Sequence, residues 1–160
     1  MFKVKISPVA DINQNIIEAV EIIKVGAKAK DILFDLDLNN KIPLLPLISD
    51  QIQQIFVNIL LNAVDAIAES ESNKTKKISV ISEINEDYVV ITFKDTGKGI
   101  SDENLTKVFE PFYTTKKEGK GTGLGLWVSY GIIKSFQGDI KVDSTLGKGT
   151  TFTITLPIQP

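Results

Sequence analysis

Between residues 150 and 156 the chain reads TTFTITL, with Phe152, Ile154 and Leu156 on one side of the alternation and Thr151, Thr153 and Thr155 on the other. A period of two belongs to a β-strand, and the clean division between apolar and hydroxyl positions calls for a sheet with one face covered and one wet. The covering layer must then come from helices elsewhere in the chain.

Three segments have the spacing to supply it. Ile16, Ile17, Val20 and Ile23 predict a helix over 13–24 with one buried stripe. The strongest helical pattern covers 50–69, where Asp50 followed by Gln53 resembles a capping box. A third apolar helix is expected over 124–136, ending near Gly138. Ser101 opens a short helix whose first turn holds Asp102 and Glu103, favoured there by the helix dipole.

Strands are predicted over 31–38, 77–83, 88–95, 139–144 and 150–156, the second and third joined as a hairpin through Asn85, Glu86 and Asp87. Pro43 and Pro46 end any regular element after the first strand, and the polar stretch 70–76 reads as a mobile loop. At 160 residues the chain has room for one core, so it is read as one domain over 1–160. The expected fold class is α/β: a two-layer sandwich with a mixed, mostly antiparallel sheet and its helices on one face.

Composition narrows the chemistry. The chain has no cysteine, which excludes disulfides, thiol catalysis and cysteine-bound zinc and fits a reducing cytoplasm. It has no histidine either, removing Ser-His and Cys-His nucleophile pairs and imidazole metal ligands. A net charge of −2 provides no global field for nucleic acid, so any polyanion must be held by a local motif. No apolar run approaches the roughly 18 residues of a membrane helix, and the first eleven residues alternate instead of building a signal peptide.

Three local motifs could hold such an anion. In QIFVNILLNAVDAI, Asn58, Asn62 and Asp65 share one face of an otherwise apolar helix. Amides there point to a polar ligand or metal above that face, unless they cap neighbouring loops. In KDTGKGI, Asp95 ends a strand and is followed by Gly97 and Gly99. The glycines admit a flat ligand and the carboxylate can accept from an exocyclic amine, although the same pattern describes plain turns. In GKGTGLGLWVSYGIIK, glycines at 119, 121, 123 and 125 run into a helix start whose free amides favour phosphate. Lys116, Lys117 and Lys120 precede it, and singly each could be a solvated surface lysine.

In this order the motifs resemble the histidine protein kinase catalytic domain, whose nucleotide fold (the Bergerat ATP-binding fold) is shared with type II topoisomerase, Hsp90-like and MutL-like ATPases. The Asn helix is similar to the N box, DTGKG to the first glycine box and FEPF at 109–112 to the phenylalanine box. GTGLGL is similar to the second glycine box and GKGTTF at 147–152 to the last. The resemblance covers about residue 48 to the end, and NAVDAI looks most like the nitrogen-regulation and sporulation branches.

The resemblance implies ATP and Mg2+ as cofactors. Asn62 would be the magnesium ligand and Asp95 the reader of the adenine amine, with Gly97, Gly99 and Ile100 beside the ring and Thr150 near it through water. Gly121, Thr122, Gly123, Leu124, Gly125 and Leu126 would surround the phosphates. Phe109, Tyr113, Thr114, Thr115 and Lys116 would belong to the nucleotide pocket and its lid over 113–120, Lys116 reaching the terminal phosphate. Many members carry a basic residue where this chain has Asp65, so only a weak nucleotide-site role is carried over to it.

Asn58 discriminates within the superfamily. The hydrolysing ATPases resemble one another in placing a glutamate base four residues before the magnesium asparagine, and an amide there cannot take a proton from water. The implied function is transfer of the γ-phosphoryl group to a histidine, with Asn58 and Lys116 as the catalytic pair. Since the chain has no histidine, the acceptor must come from elsewhere. The family places it on a histidine-containing dimerisation domain, a helical hairpin normally in the same polypeptide and N-terminal to this one, with a response regulator downstream. The expectation that follows is that Met1 marks an engineered start or opens a free-standing module. An anti-sigma-factor-type serine kinase and a non-catalytic nucleotide sensor are the alternatives.

Overall fold

The computed structural model describes residues 8–71, 74–114 and 124–158. Its elements are α1 (Ile12–Lys24), a 3₁₀ turn (Ala27–Ala29), β1 (Leu33–Leu38), α2 (Ser49–Ala68), β2 (Lys77–Asn85), β3 (Tyr88–Asp95), α3 (Asp102–Leu105), α4 (Gly125–Ser135), β4 (Asp139–Thr145) and β5 (Gly149–Pro157). The five strands form one sheet in the order β1-β2-β3-β5-β4, with β1 parallel to β2 and every other pair antiparallel.

The apolar side of the final strand sits where its alternation requires. Phe152, Ile154 and Leu156 are buried beside Ile78, Val80, Val89, Ile91 and Phe93 from β2 and β3. Onto this face α2 lays Ile52, Ile55, Phe56, Ile59, Leu60, Ala63, Val64 and Ile67, and the rings of Phe56 and Phe93 lie 5.4 Å apart. Thr151, Thr153 and Thr155 remain only half buried on the opposite face. The two-layer α/β sandwich expected from the sequence is therefore the observed architecture. Among the described residues, no helix is long and apolar enough to cross a membrane.

Some element ends differ from expectation. Asp50 does not cap α2: Gln51 and Ile52 donate to the carbonyl of Ile48, which makes Ile48 the cap, and no side chain closes it. Asp50 lies one residue inside, in the first turn, where the dipole favours its charge without a capping box. The Ser49 hydroxyl is occupied by Asn15 Nδ2 at 2.9 Å, which ties α1 to the start of α2. Ser101 is the cap of α3 as expected, through its carbonyl, which accepts from Asn104 N and Leu105 N; its side chain makes no capping bond.

At the far end of α4 the left-handed residue is Gln137 (φ 62°), not Gly138. Gln137 N donates to Lys134 O and Gly138 N to Ile133 O, the paired bonds of a Schellman motif. A glycine is needed at 138 for space, since a Cβ there would stand 2.6 Å from the Thr155 carbonyl oxygen. The first strand starts at Leu33, two residues later than expected, because the 3₁₀ turn carries the chain to Ile32, whose N–H donates to Ala29 O.

Candidate functional site

The end of β3 delivers Asp95 to the covered face of the sheet, between Ile78 of β2 and Thr150 of β5, with 5% of its surface exposed. Its Oδ1 accepts from Gly97 N at 2.8 Å, so the turn after the strand fixes the carboxylate's direction. Burial pushes this carboxyl up to about 6, while backbone bonds from Gly97 and Thr150 and the charge of Lys74 pull it back. It remains an ionised acceptor at neutral pH, set in a poorly solvated floor.

The glycines around it are dictated by close packing. A Cβ on Gly97 would stand 2.6 Å from Ala66 Cβ on α2, and one on Gly99 (φ 74°) would stand 2.2 Å from Thr145 O. The turn between β4 and β5 thus presses on the floor, and Gly147 N donates to Lys98 O at 2.6 Å. Ser144 Oγ accepts from Ile100 N at 2.7 Å, donates to Gly149 O at 2.8 Å, and lies 2.8 Å from Thr150 Oγ1. Neither Gly149 nor Ser144 stood out in the sequence. Gly149 had a signal in the GKGTTF motif, whereas Ser144 shows itself only once β4 and β5 are paired.

The wall of the cleft is α2. Lys98 N donates to Ala66 O at 3.0 Å, joining this helix to the floor. One turn away, the Asn62 carboxamide is half buried and has no hydrogen-bond partner among the described residues. Asn58 is differently employed. Its Nδ2 donates to Gly125 O at 3.4 Å and Ser129 Oγ at 3.3 Å, and its Oδ1 accepts from Gln54 at 3.4 Å, holding α4 against α2. Asp65 Oδ1 is paired with Lys28 Nζ at 3.2 Å, a partner from the 3₁₀ turn with no signature in the sequence.

The rim comprises residues 100–114 and the start of α4. Phe109 is half buried and stacks on Tyr130 (5.3 Å) and Phe152 (6.3 Å), which anchors this segment on the sheet. Phe112 takes φ 65° and is 72% exposed, reversing the chain toward Tyr113, a half-buried residue whose phenol is raised by burial, against the pull of Lys98. Thr114 is exposed; Leu124 is the cap of α4, Gly125 its first residue, and Leu126 packs against the core. The expected site residues Thr115, Lys116, Gly121, Thr122 and Gly123 lie outside the described residues.

The polar stretch before β2 is better held than its composition suggests. Thr96 Oγ1 donates to Thr75 O at 2.8 Å and accepts from Lys77 N at 3.0 Å, while Lys74 Nζ donates to Gly147 O at 2.5 Å and Gly97 O at 3.4 Å. Ser72 and Asn73 of that stretch lie outside the described residues. The candidate site thus comprises a closely packed floor with a buried acceptor, the α2 face that carries Asn62, and the N-terminal end of α4, whose first amides have no intrahelical acceptor.

Comparison with known proteins agrees with this fold. Sporulation kinase E of Bacillus subtilis (strain 168) is 39% identical over 142 residues, covering 89% of this chain and 18% of that protein. The sensor histidine kinase ZraS of Escherichia coli (strain K12) is 35% identical over 149 residues, covering 93% of this chain and 30% of that protein. The chain therefore spans less than a third of the length of these curated relatives. Among solved structures, the catalytic domain of histidine kinase ThkA superposes with a TM-score of 0.79 at 27% identity, covering 95% of each chain. Residues 48–160 match the family described as "Histidine kinase-, DNA gyrase B-, and HSP90-like ATPase", and the chain belongs to that family of ATP-binding domains.

Proposed function

We propose that this chain binds Mg-ATP and transfers the γ-phosphoryl group to a histidine on a separate helical hairpin, as the catalytic part of a two-component sensor kinase. The observation that carries the reading is the pairing of a buried, amide-oriented Asp95 with an Asn62 carboxamide that has no partner among the described residues, in a chain with sensor-kinase relatives.

Asp95 is oriented to accept a hydrogen bond from the exocyclic amine of adenine, which guanine lacks at that position. Gly97, Gly99 and Ile100 flank the ring, and Thr150 reaches it through water. Leu124, Gly125 and Leu126, at the start of α4, adjoin the phosphates, and the family resemblance assigns the terminal phosphate to Lys116, outside the described residues. Asn62 offers an oxygen of the type that magnesium prefers, and among the described residues no three acidic side chains converge on a metal. Mg2+ held there would neutralise charge on the phosphate oxygens.

Asn58 supports transfer over hydrolysis. A carboxamide cannot deprotonate water, and this one is engaged with α4. In the transfer, the bond from the γ-phosphorus to the bridging oxygen breaks, a bond to the imidazole nitrogen forms, and ADP leaves. This chain contributes position and charge neutralisation through its amides and Lys116. The partners are the histidine-bearing hairpin and, downstream, a response regulator.

The test is to mix the chain with such a hairpin and γ-labelled ATP. Label on the hairpin that is lost in mild acid is expected. Acid-stable label, or nucleotide-dependent association with no label transferred, would overturn the reading.

A further inference from the structure

One side chain outside every motif reaches the floor of the cleft. Lys74 Nζ donates to Gly147 O at 2.5 Å and to Gly97 O at 3.4 Å. These carbonyls belong to opposite sides of the floor: Gly97 follows Asp95 at the end of β3, and Gly147 lies in the turn between β4 and β5. A surface lysine ordinarily extends its ammonium to water. Here three of its features are used together: several donors on one atom, no acceptor of its own, and a charge that strengthens each bond to a carbonyl.

The two sides already share one backbone bond, Gly147 N to Lys98 O. Ile100 N to Ser144 Oγ is another tie, and Lys74 adds a charged one from a separate segment, itself anchored next to β3 by the bond from Thr96 Oγ1 to Thr75 O. Gly99 lies against Thr145 O and Gly149 against Asp95 O so closely that neither could carry a Cβ, so the β4–β5 turn is packed directly on the backbone around Asp95.

We propose that Lys74 is a positioning residue of the base site: it clamps the Gly97 loop to the β4–β5 turn and so sets the slot in which Asp95 meets the purine. The inference rests on the nucleotide reading above and adds to it a residue that touches no nucleotide. Its ammonium also lies close enough to Asp95 to favour the ionised acceptor, an effect in the same direction.

The experiment compares the whole chain with Lys74→Met, which keeps length and removes the donors, and Lys74→Arg, which keeps charge and donors. Affinities for ADP, GDP and inorganic triphosphate are measured by calorimetry, and exchange of the Gly147 amide is followed without nucleotide. In Lys74→Met, ADP affinity and the preference for ADP over GDP are each expected to fall about tenfold, with triphosphate binding changed less than about twofold and Gly147 exchange about tenfold faster. Lys74→Arg should retain ADP binding within about threefold.

Unchanged ADP affinity and preference in Lys74→Met would overturn the proposal. So would an equal loss for triphosphate, which would mean general attraction of anions, or a Gly147 amide that exchanges at the original rate. An unmutated chain that binds no ADP would overturn the nucleotide reading and this inference together; an unmutated chain that binds beside an equally competent Lys74→Met would overturn this inference alone.

Discussion

The floor and the wall of the cleft are built on opposite principles. In the floor, backbone meets backbone so closely that three glycines exclude a Cβ, and the carboxylate at its centre is held by the amide of Gly97. In the wall, side chains meet side chains: Asn58 makes long bonds to α4, Asp65 meets Lys28 on the surface, and Asn62 is paired with no described residue. On the proposed nucleotide reading the difference separates two tasks: a preorganised surface would serve a rigid ring, while groups that can exchange partners would serve a triphosphate and its cation.

The strongest way to break this contrast is to insert a methyl group in the floor. Gly149→Ala places a Cβ 2.0 Å from Asp95 O at a backbone φ of 130°, and should destabilise the chain by about 4 kcal/mol in urea unfolding. The matched change Gly131→Ala, in exposed helix with nothing within 4 Å of the new Cβ, should stabilise by about 0.5–1 kcal/mol. Equal effects at the two sites would end the distinction.

Asp95→Asn sharpens it next. Because the folded carboxyl titrates near 6, above an ordinary value of 3.8, ionisation opposes folding: the penalty is absent below the lower value and complete once pH has risen through the upper. A rise of that size corresponds to about 3 kcal/mol, so Asp95→Asn should gain up to that much stability at pH 7.5 and almost none at pH 3.5. It should also lose the preference for adenine over guanine. In the unmutated chain, adenine affinity should fall as pH drops through about 6. A stability gain independent of pH would remove the buried-charge explanation.

Within the wall, the two asparagines should part company. Asn62→Ala is expected to weaken magnesium-dependent nucleotide binding about tenfold and change stability by less than about 0.5 kcal/mol, since no described partner is lost. Asn58→Ala should cost about 1 kcal/mol of stability through its lost bonds to Gly125 and Ser129. Identical stability losses would show that Asn62 is committed inside the protein. The smallest effect belongs to Lys28→Ala, where the Lys28 side chain is 62% exposed. Its stability cost should stay under about 1 kcal/mol and disappear in concentrated salt, as for an ordinary surface pair.

Much of the fold was legible because periodicity is local. The alternation of Phe152, Ile154 and Leu156 with threonines, and the apolar stripe from Ile52 to Ile67, each state their own element and buried face. The ordered motifs then identified the family, now matched over 48–160. Helix ends were less legible because a cap depends on which carbonyl a particular N–H reaches. Asp50 had the right residue type two positions too late, and Gln137 adopted the left-handed conformation expected at its glycine neighbour. The ties to the floor and wall could not be read at all. Lys74 to Gly147 spans 73 residues, Lys28 to Asp65 spans 37 and Ser144 to Ile100 spans 44, and no spacing rule links such pairs. The candidate roles of Asn62 and Asp95 rest on residue chemistry and on the family resemblance, and stand as proposals.

The joint between α2 and α4 also restrains how this domain can change its chemistry. A glutamate at position 58 would supply a proton acceptor for water, but its carboxylate has no N–H to give the Gly125 carbonyl. Two oxygens would face each other where one of the two long bonds to α4 now lies. A glutamate at 58 would therefore have to trade the Gly125 carbonyl for the Ser129 hydroxyl, which can donate to a carboxylate, so the change would alter how α4 is seated as well as the chemistry at that position.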